Sequence, residues 1–253
     1  MIYIKSSTDI NLIKTAATIW KKVRVMLIAN TKVGVNLNAL DEQVAELVAS
    51  LGATCSFWQY HGFPKHLCIS VNDELIHGIP RDYVIQPNDL ITFDLGITYQ
   101  QHVCDAAFTI HVAPTSDVPA KINVATQAAL WQAIQVIKPG IHIGDISHTI
   151  ANVAQAHGYT VMKDFGGHGC GNYLHEDPII LNYGKPHTGP KVVPGMTLCI
   201  EPMLMTGSDA YFIDPVDQWT VKSKNHQLTC QWEHMVLVTT DGCEVLTGEW
   251  HDS

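Results

Sequence analysis

Five residues spread from position 94 to position 233 could together do metal chemistry: Asp94, Asp105, His168, Glu201 and Glu233. Each stands in an apolar or glycine-rich stretch where an unpaired charge is costly. Asp94 closes the run Leu90-Ile91-Thr92-Phe93, and Glu201 ends Met196-Thr197-Leu198-Cys199-Ile200 just ahead of Pro202, so both carboxylates leave β-rich segments expected to be buried. Counter-charge is scarce: the chain has 15 Lys and Arg among 253 residues, few of them near these positions. Divalent cations are the natural partners for four carboxylates and an imidazole. That set points to hydrolysis at a two-metal centre, where ions acidify a water and polarise the bond under attack.

Such residues must be brought together by the fold. Asp94 and Asp105 are eleven residues apart, an odd number that would face them oppositely on one unbroken strand. They therefore belong to two strands of a hairpin, with Gly96 and Thr98-Tyr99-Gln100-Gln101 supplying the turn. His168 lies in Phe165-Gly-Gly-His-Gly-Cys-Gly171, read as a glycine loop that lets backbone approach the ring closely, and His175-Glu176-Asp177-Pro178 follows at short range.

A helical pattern starts at Ser7 or Thr8, with Ile10, Ile13, Ala17, Trp20 and Leu27 along one side. A second fills Gly34 to Gly52, with Leu37, Leu40, Val44, Leu47 and Val48 on one face. The same frame recurs from Gly140 to Gly158, where Ile143, Ile146, Ile150, Val153 and Ala154 take the equivalent places and Lys138 matches Lys32 upstream. A longer helical pattern precedes each unit, at about 8–30 and 119–138. Strand-like segments follow each: Leu67–Val71, Leu90–Tyr99 and Cys104–Val112, then Met196–Met205 and Gln231–Thr239. The chain thus reads as one α+β domain of two related halves, about 1–113 and 119–248, joined through Pro114–Pro119, with the ligands at the seam.

Composition narrows the rest. An apolar share of 46% suits one large core. No apolar run approaches the roughly 20 residues that span a bilayer, and no signal-peptide pattern opens the chain, so a cytoplasmic protein is expected. The seven cysteines are odd in number and lack a C-x-x-C pair, which suits reduced, buried thiols. A net charge of −9 without a basic cluster argues against nucleic-acid binding.

Five segments in series carry a resemblance. Tyr60-His61-Gly62-Phe63-Pro64-Lys65, Asn72-Asp73-Glu74-Leu75-Ile76-His77-Gly78-Ile79-Pro80, Gly167-His168-Gly169-x-Gly171 with His175-Glu176-Asp177-Pro178, Ile200-Glu201-Pro202-Met203 and Trp232-Glu233-His234 resemble type I methionine aminopeptidases across nearly the whole chain. The resemblance implies the pita-bread fold, two pseudo-symmetric αβ halves with antiparallel sheet around a central metal site. It implies that Asp94 chelates one divalent ion, that His168 and Glu201 hold the other, and that Asp105 and Glu233 bridge them, with Co, Mn, Fe(II) or Zn as the two ions. It assigns oxyanion stabilisation to His175, contact with the following amide and proton movement to His77, and proton transfer as well as ligation to Glu201. Tyr60, Phe63, Cys68 and Trp219 match the pocket for a methionine side chain. The implied partner is the N-terminal Met of nascent chains, met by a monomer that allows transient ribosome contact and binds neither membrane nor specific nucleic acid.

The chain departs from that pattern in places. Phe57 stands where a small Cys is common, Leu174 where Phe is common, and Gln101-His102-Val103-Cys104-Asp105-Ala106 replaces the usual hairpin sequence. His61 reads as structural. Two other readings compete: an X-Pro peptidase or prolidase, which shares the fold and a similar ligand set, and an inactive peptide-binding homologue, which would be expected to have lost ligands.

Overall fold

The computed structural model describes residues 1–248. The first helix, α1 (Ser7–Asn30), is capped by Ser6, whose hydroxyl accepts from the Asp9 amide while the Asp9 carboxylate accepts from the Ser6 amide. Its buried stripe, Ile13, Ala17, Trp20 and Leu27, packs on the hairpin of β4 (Leu90–Tyr99) and β5 (His102–His111). The Trp20 indole N–H donates to the carbonyls of Leu95 (3.1 Å) and Ala106 (3.2 Å), the residues immediately after Asp94 and Asp105. Phe108 meets Trp20 edge-on and stacks on Phe93 at 5.3 Å. Ring packing behind the hairpin thus fixes its register, which decides where the two aspartates point.

β4 is the spine of the first sheet. It pairs with β5 from Leu90↔His111 to Tyr99↔His102, and along its other edge with β1 (Thr54–Cys55) and β2 (Cys68–Val71) in tandem. The turn is Gln100–Gln101 alone, with φ of 45° and 67°, the left-handed pair that a tight two-residue hairpin requires. The turn expected to begin at Gly96 is therefore shorter, and Gly96 lies inside the ladder opposite Asp105. A β-carbon there would sit 2.8 Å from Ser56 Cβ and 3.2 Å from Leu174 Cδ1, so this glycine serves packing rather than turning.

The second helix of each half, α2 (Leu37–Ser50) and α4 (Ile143–Ala156), is 14 residues long, and the two begin and end 106 residues apart. Left-handed Gly52 (φ 72°) and Gly158 (φ 79°) follow them. Between them α3 (Asp117–Gln135) begins two residues earlier than the sequence pattern and places Pro119 in its first turn, where the missing N–H costs no helical bond. Strand β3 (Glu74–Ile76) precedes β4 in the chain.

The second large sheet is antiparallel, in the order β15 (Cys243–Val245), β14 (His234–Val238), β9 (Thr197–Ile200), β7 (Gly166–Gly169) and β8 (Glu176–Leu181). Two small sheets flank it: β13 (Thr229–Gln231), β10 (Met203–Met205) and β6 (Thr160–Val161), and β11 (Tyr211–Ile213), β12 (Val221–Ser223) and β3. The stretches Met196–Met205 and Gln231–Thr239 read as strand-like segments in the sequence. Both are broken, at Glu201-Pro202 and at Trp232-Glu233, and each continues in a different sheet. Pro202 cannot donate to a ladder, which accounts for the first break. At the second, the Glu233 amide donates to Ala107 O (2.9 Å), stitching the two large sheets together beside the hairpin.

The glycine-rich segment is a strand rather than a loop. β7 is hydrogen-bonded on both edges, and a β-carbon on Gly167 would lie 2.1 Å from the Cys199 carbonyl oxygen. Backbone cannot yield as a flexible side chain can, so Gly167→Ala is expected to lower stability by about 3 kcal/mol or more. The check is the urea midpoint at unchanged m-value. A midpoint equal to wild type would mean that the sheet opens freely here.

Candidate metal centre and substrate cleft

Asp94 and Asp105 occupy one face of the hairpin as diagonal neighbours, since Asp94 pairs with Ala107 and Asp105 with Gly96. Glu233, delivered by the stitch to Ala107, joins them, and one oxygen from each of the three lies within 4.8 Å of the others. From the opposite sheet, β7 presents His168, and its Nε2 stands 3.7 Å from Oε1 of Glu201 at the end of β9. His168 Nδ1 faces the Gly169 carbonyl at 2.9 Å, an acceptor only, so the ring proton sits on Nδ1 and the Nε2 lone pair is free for a metal.

Gln231 closes the ring of candidate ligands by donating from Nε2 to Glu201 Oε2 (3.1 Å) and Asp94 Oδ2 (3.5 Å). Neither Gln231 nor Cys199 was singled out from sequence for this place. Cys199 pairs with His168 across the β7–β9 ladder, and its sulfur lies within 4.8 Å of donor atoms of His168 and Glu233. The signal for Gln231 was a polar residue two positions before Glu233 in a strand-like run. For Cys199 there was none, because register alone brings it here.

The centre is electrostatically unsatisfied. Asp94 Oδ1, Asp105 Oδ1 and Glu233 Oε1 are buried without a hydrogen-bond partner. Burial pushes the Asp94 carboxyl up to about 7 and, with repulsion from Asp94, the Glu201 carboxyl up to about 8. Burial and then neighbouring carboxylates hold Asp105 and Glu233 well above the usual range. Burial and the nearby His175 depress His168 to about 3, so its ring is neutral. Lys5 is buried against Glu176 on the cleft wall, and that carboxylate takes its charge. Orphaned carboxylate oxygens around a free imidazole lone pair fit divalent cations of the Mn, Fe(II), Co and Zn kind.

This sets an expected pH response for the protein stripped by a chelator. Raised carboxyls favour the folded state most below their ordinary pKa near 4, and that advantage is lost as pH rises through about 7 and 8. His168 and His77, depressed to about 3 and about 4, act oppositely, adding stability up to about pH 6.5 and nothing further beyond. Between pH 6.5 and 8, of these groups, the raised carboxyls set the slope. The stripped protein should lose a few degrees of Tm across that window, and saturating Mn should abolish the loss. Parallel pH profiles with and without Mn would contradict the assignment.

Above the ligands opens a cleft of about 830 Å³. Tyr60, Phe63, Cys68, His77, His175 and Trp219 all line it. Phe63 meets Trp219 edge-on at 5.2 Å and Phe57 at 6.5 Å, forming an aromatic wall. His77, in a left-handed conformation (φ 59°), lies 6.4 Å from Trp219, and burial lowers its pKa to about 4. Tyr60 Oη lies 2.9 Å from His175 Nδ1, and the His175 ring is 4.4 Å from that of His168. Glu176, buried against Lys5, accepts from the amides of Asn172 and Tyr173 and so shapes the turn bearing Leu174 and His175. Phe57 and Leu174 both face the cleft, and so does exposed His61, edge-on to Tyr60 at 4.4 Å, which therefore belongs to the cleft rather than to the supporting structure.

Two antiparallel sheets meeting over a carboxylate-rich, cation-seeking floor define a metallohydrolase with an aromatic-walled cleft. Residues 11–240 match the profile of metallopeptidase family M24, and the chain belongs to that family. It is 42% identical over 248 residues to the methionine aminopeptidase of Mycoplasma capricolum, covering 98% of each chain, and 35% identical to methionine aminopeptidase 1 of Bacillus subtilis, covering 98% of this chain and 99% of that one. The crystal structure of methionine aminopeptidase from Rickettsia prowazekii superposes with a TM-score of 0.96 at 31% identity, over 98% of this chain and 100% of that one. Prolidase from Pyrococcus furiosus shares the fold at a TM-score of 0.80 and 24% identity, and this chain covers 65% of it. The fold is the pita-bread fold, mixed α and β with antiparallel sheets.

Proposed function

We propose that this chain removes the N-terminal methionine from nascent polypeptides whose second residue is small. The observation that carries the reading is the convergence of Asp94, Asp105, His168, Glu201 and Glu233 on the floor of a cleft walled by Phe63, Trp219 and Tyr60. These five would hold two divalent ions, with Asp105 and Glu233 between them. Bound there, the ions supply Lewis acidity toward an amide carbonyl and a water acidified toward neutrality.

The residues around the ligands do the rest. The aromatic wall and Cys68 suit an unbranched thioether, held by apolar burial and sulfur–aromatic contacts. Burial raises the Tyr60 phenol, so it keeps its proton and can donate it to His175 Nδ1. That leaves the His175 proton on Nε2, free to donate to a carbonyl oxygen as it gathers charge. His77, neutral by burial, contacts the next amide and can relay a proton to the leaving amine. Glu201, bonded by Gln231, shares ligation with proton transfer.

The two equal-length helices α2 and α4, matched 106 residues apart, support a duplication with halves of about 1–113 and 119–248. No helix among the described residues is long and apolar enough to cross a membrane. A cytoplasmic monomer that meets chains at the ribosome fits this reading.

A peptide library varied at its first two residues, assayed with Mn, Co, Fe(II) and Zn separately, tests the proposal. Release of Met from Met-Ala-Ser peptides and failure on bulky second residues is expected. Release of X from X-Pro peptides without Met release would replace the reading with a prolidase one. No turnover with any metal, in protein that retains the metal, would leave a peptide-binding homologue.

A further inference from the structure

Three side chains of metal-ligating type come together on the surface, away from the cleft: His142, Asp145 and His187. One donor atom from each lies within 4.8 Å of the other two. His187 Nδ1 and Asp145 Oδ1 are already 3.5 Å apart. Two ligands on a tetrahedral zinc ion, at roughly 2.0–2.1 Å from the metal, are separated by roughly 3.4 Å, so this pair already has the separation that sharing an ion requires. We propose that these residues form a third metal site, taking a borderline-soft divalent ion such as Zn, with water completing the tetrahedron.

The group is built rather than accidental. His142 and Asp145 open α4, while His187 comes from the loop after β8, and the loop is clamped onto the helix start. Gly144 N donates to Thr188 O (2.9 Å) and Ile143 N to Pro190 O (3.0 Å). A β-carbon on Gly144 would lie 2.2 Å from the Lys185 carbonyl oxygen, so the clamp depends on glycine there. The Asp145 carboxylate accepts from the amides of His142 and His187, both at 2.8 Å, which holds it beside both histidines. The positive end of a helix alone would repel a cation. Here a carboxylate held by two amides, whose pKa those bonds lower, restores the negative charge.

Donor chemistry separates this site from the centre in the cleft. Two imidazoles and one carboxylate favour Zn, Ni or Cu, whereas four carboxylates and one imidazole also suit Mn. The His187 side chain is 85% exposed, so an ion reaches it from solvent and its truncation removes little packing.

The test compares the full chain with His187→Ala and His142→Ala, each first saturated with Mn, then given excess zinc sulfate and desalted. Wild type should retain about one zinc per chain more than either variant, and its imidazole NMR signals for these two rings should move on zinc addition. Peptide hydrolysis at saturating metal should be the same in all three. Equal zinc retention in wild type and both variants would overturn the site, whatever the peptide assay shows.

Discussion

Asp105→Ala is expected to lower kcat/KM for Met-Ala-Ser hydrolysis by about a thousandfold or more while leaving the protein folded. Asp105 lies among Asp94, Glu201 and Glu233, with one buried oxygen unpartnered. On the proposed reading this carboxylate is shared between two ions, and its loss would remove several kcal/mol of transition-state stabilisation, with each 1.36 kcal/mol tenfold in rate. Stability should move the other way. In the stripped protein this carboxyl is repelled by its neighbours, so its removal relieves Asp94 and Glu233. The space left opens to the cleft, so water can fill it. The stripped variant should melt at or above stripped wild type at pH 8, and added Mn should raise its Tm far less. Metal content near wild type with near-normal turnover would remove Asp105 from the ligand set. A lower Tm in the stripped state would mean that its role is structural.

The contrast between what was and was not legible follows physical range. The α1 start and the frames of α2 and α4 rest on capping and 3.6-residue periodicity, which act within a few positions, and the structure has them within one to three residues of the pattern. The hairpin of β4 and β5 was equally local, and its aspartates share a face for the reason that an odd spacing across two strands allows. The five candidate ligands were conspicuous because they interrupt apolar or glycine-rich runs. What was hidden depends on partners far along the chain. The glycines around His168 looked like a loop, yet Gly167 is small because the Cys199 carbonyl crosses it and Gly169 because the Asp177 carbonyl does. The breaks at Glu201-Pro202 and Trp232-Glu233 hand each strand to a second sheet, which periodicity cannot register. Gln231 and Cys199 reach the centre, and Lys5 reaches Glu176, only through that tertiary arrangement.

His175→Ala should lower kcat by about a hundred- to a thousandfold with a much smaller change in KM, the pattern for a donor whose bond strengthens as the carbonyl gains charge. The geometry adds a sharper expectation. On the proposed reading Tyr60 would reach the chemistry through His175, with Oη 2.9 Å from Nδ1, as a positioning residue that fixes which nitrogen carries the proton. Tyr60→Phe keeps the ring in the aromatic wall and removes only that bond. It should cost about tenfold in kcat, in the range of an orienting partner one step removed from the site. Because the two act in series, the double variant should be no slower than His175→Ala alone, a coupling that equals the whole Tyr60 effect. Metal content should stay at the wild-type level in all three variants, which separates this loss from that of a ligand. Multiplying rather than merging effects in the double variant would show that Tyr60 touches the substrate independently, and the proton assignment on His175 would fall with it.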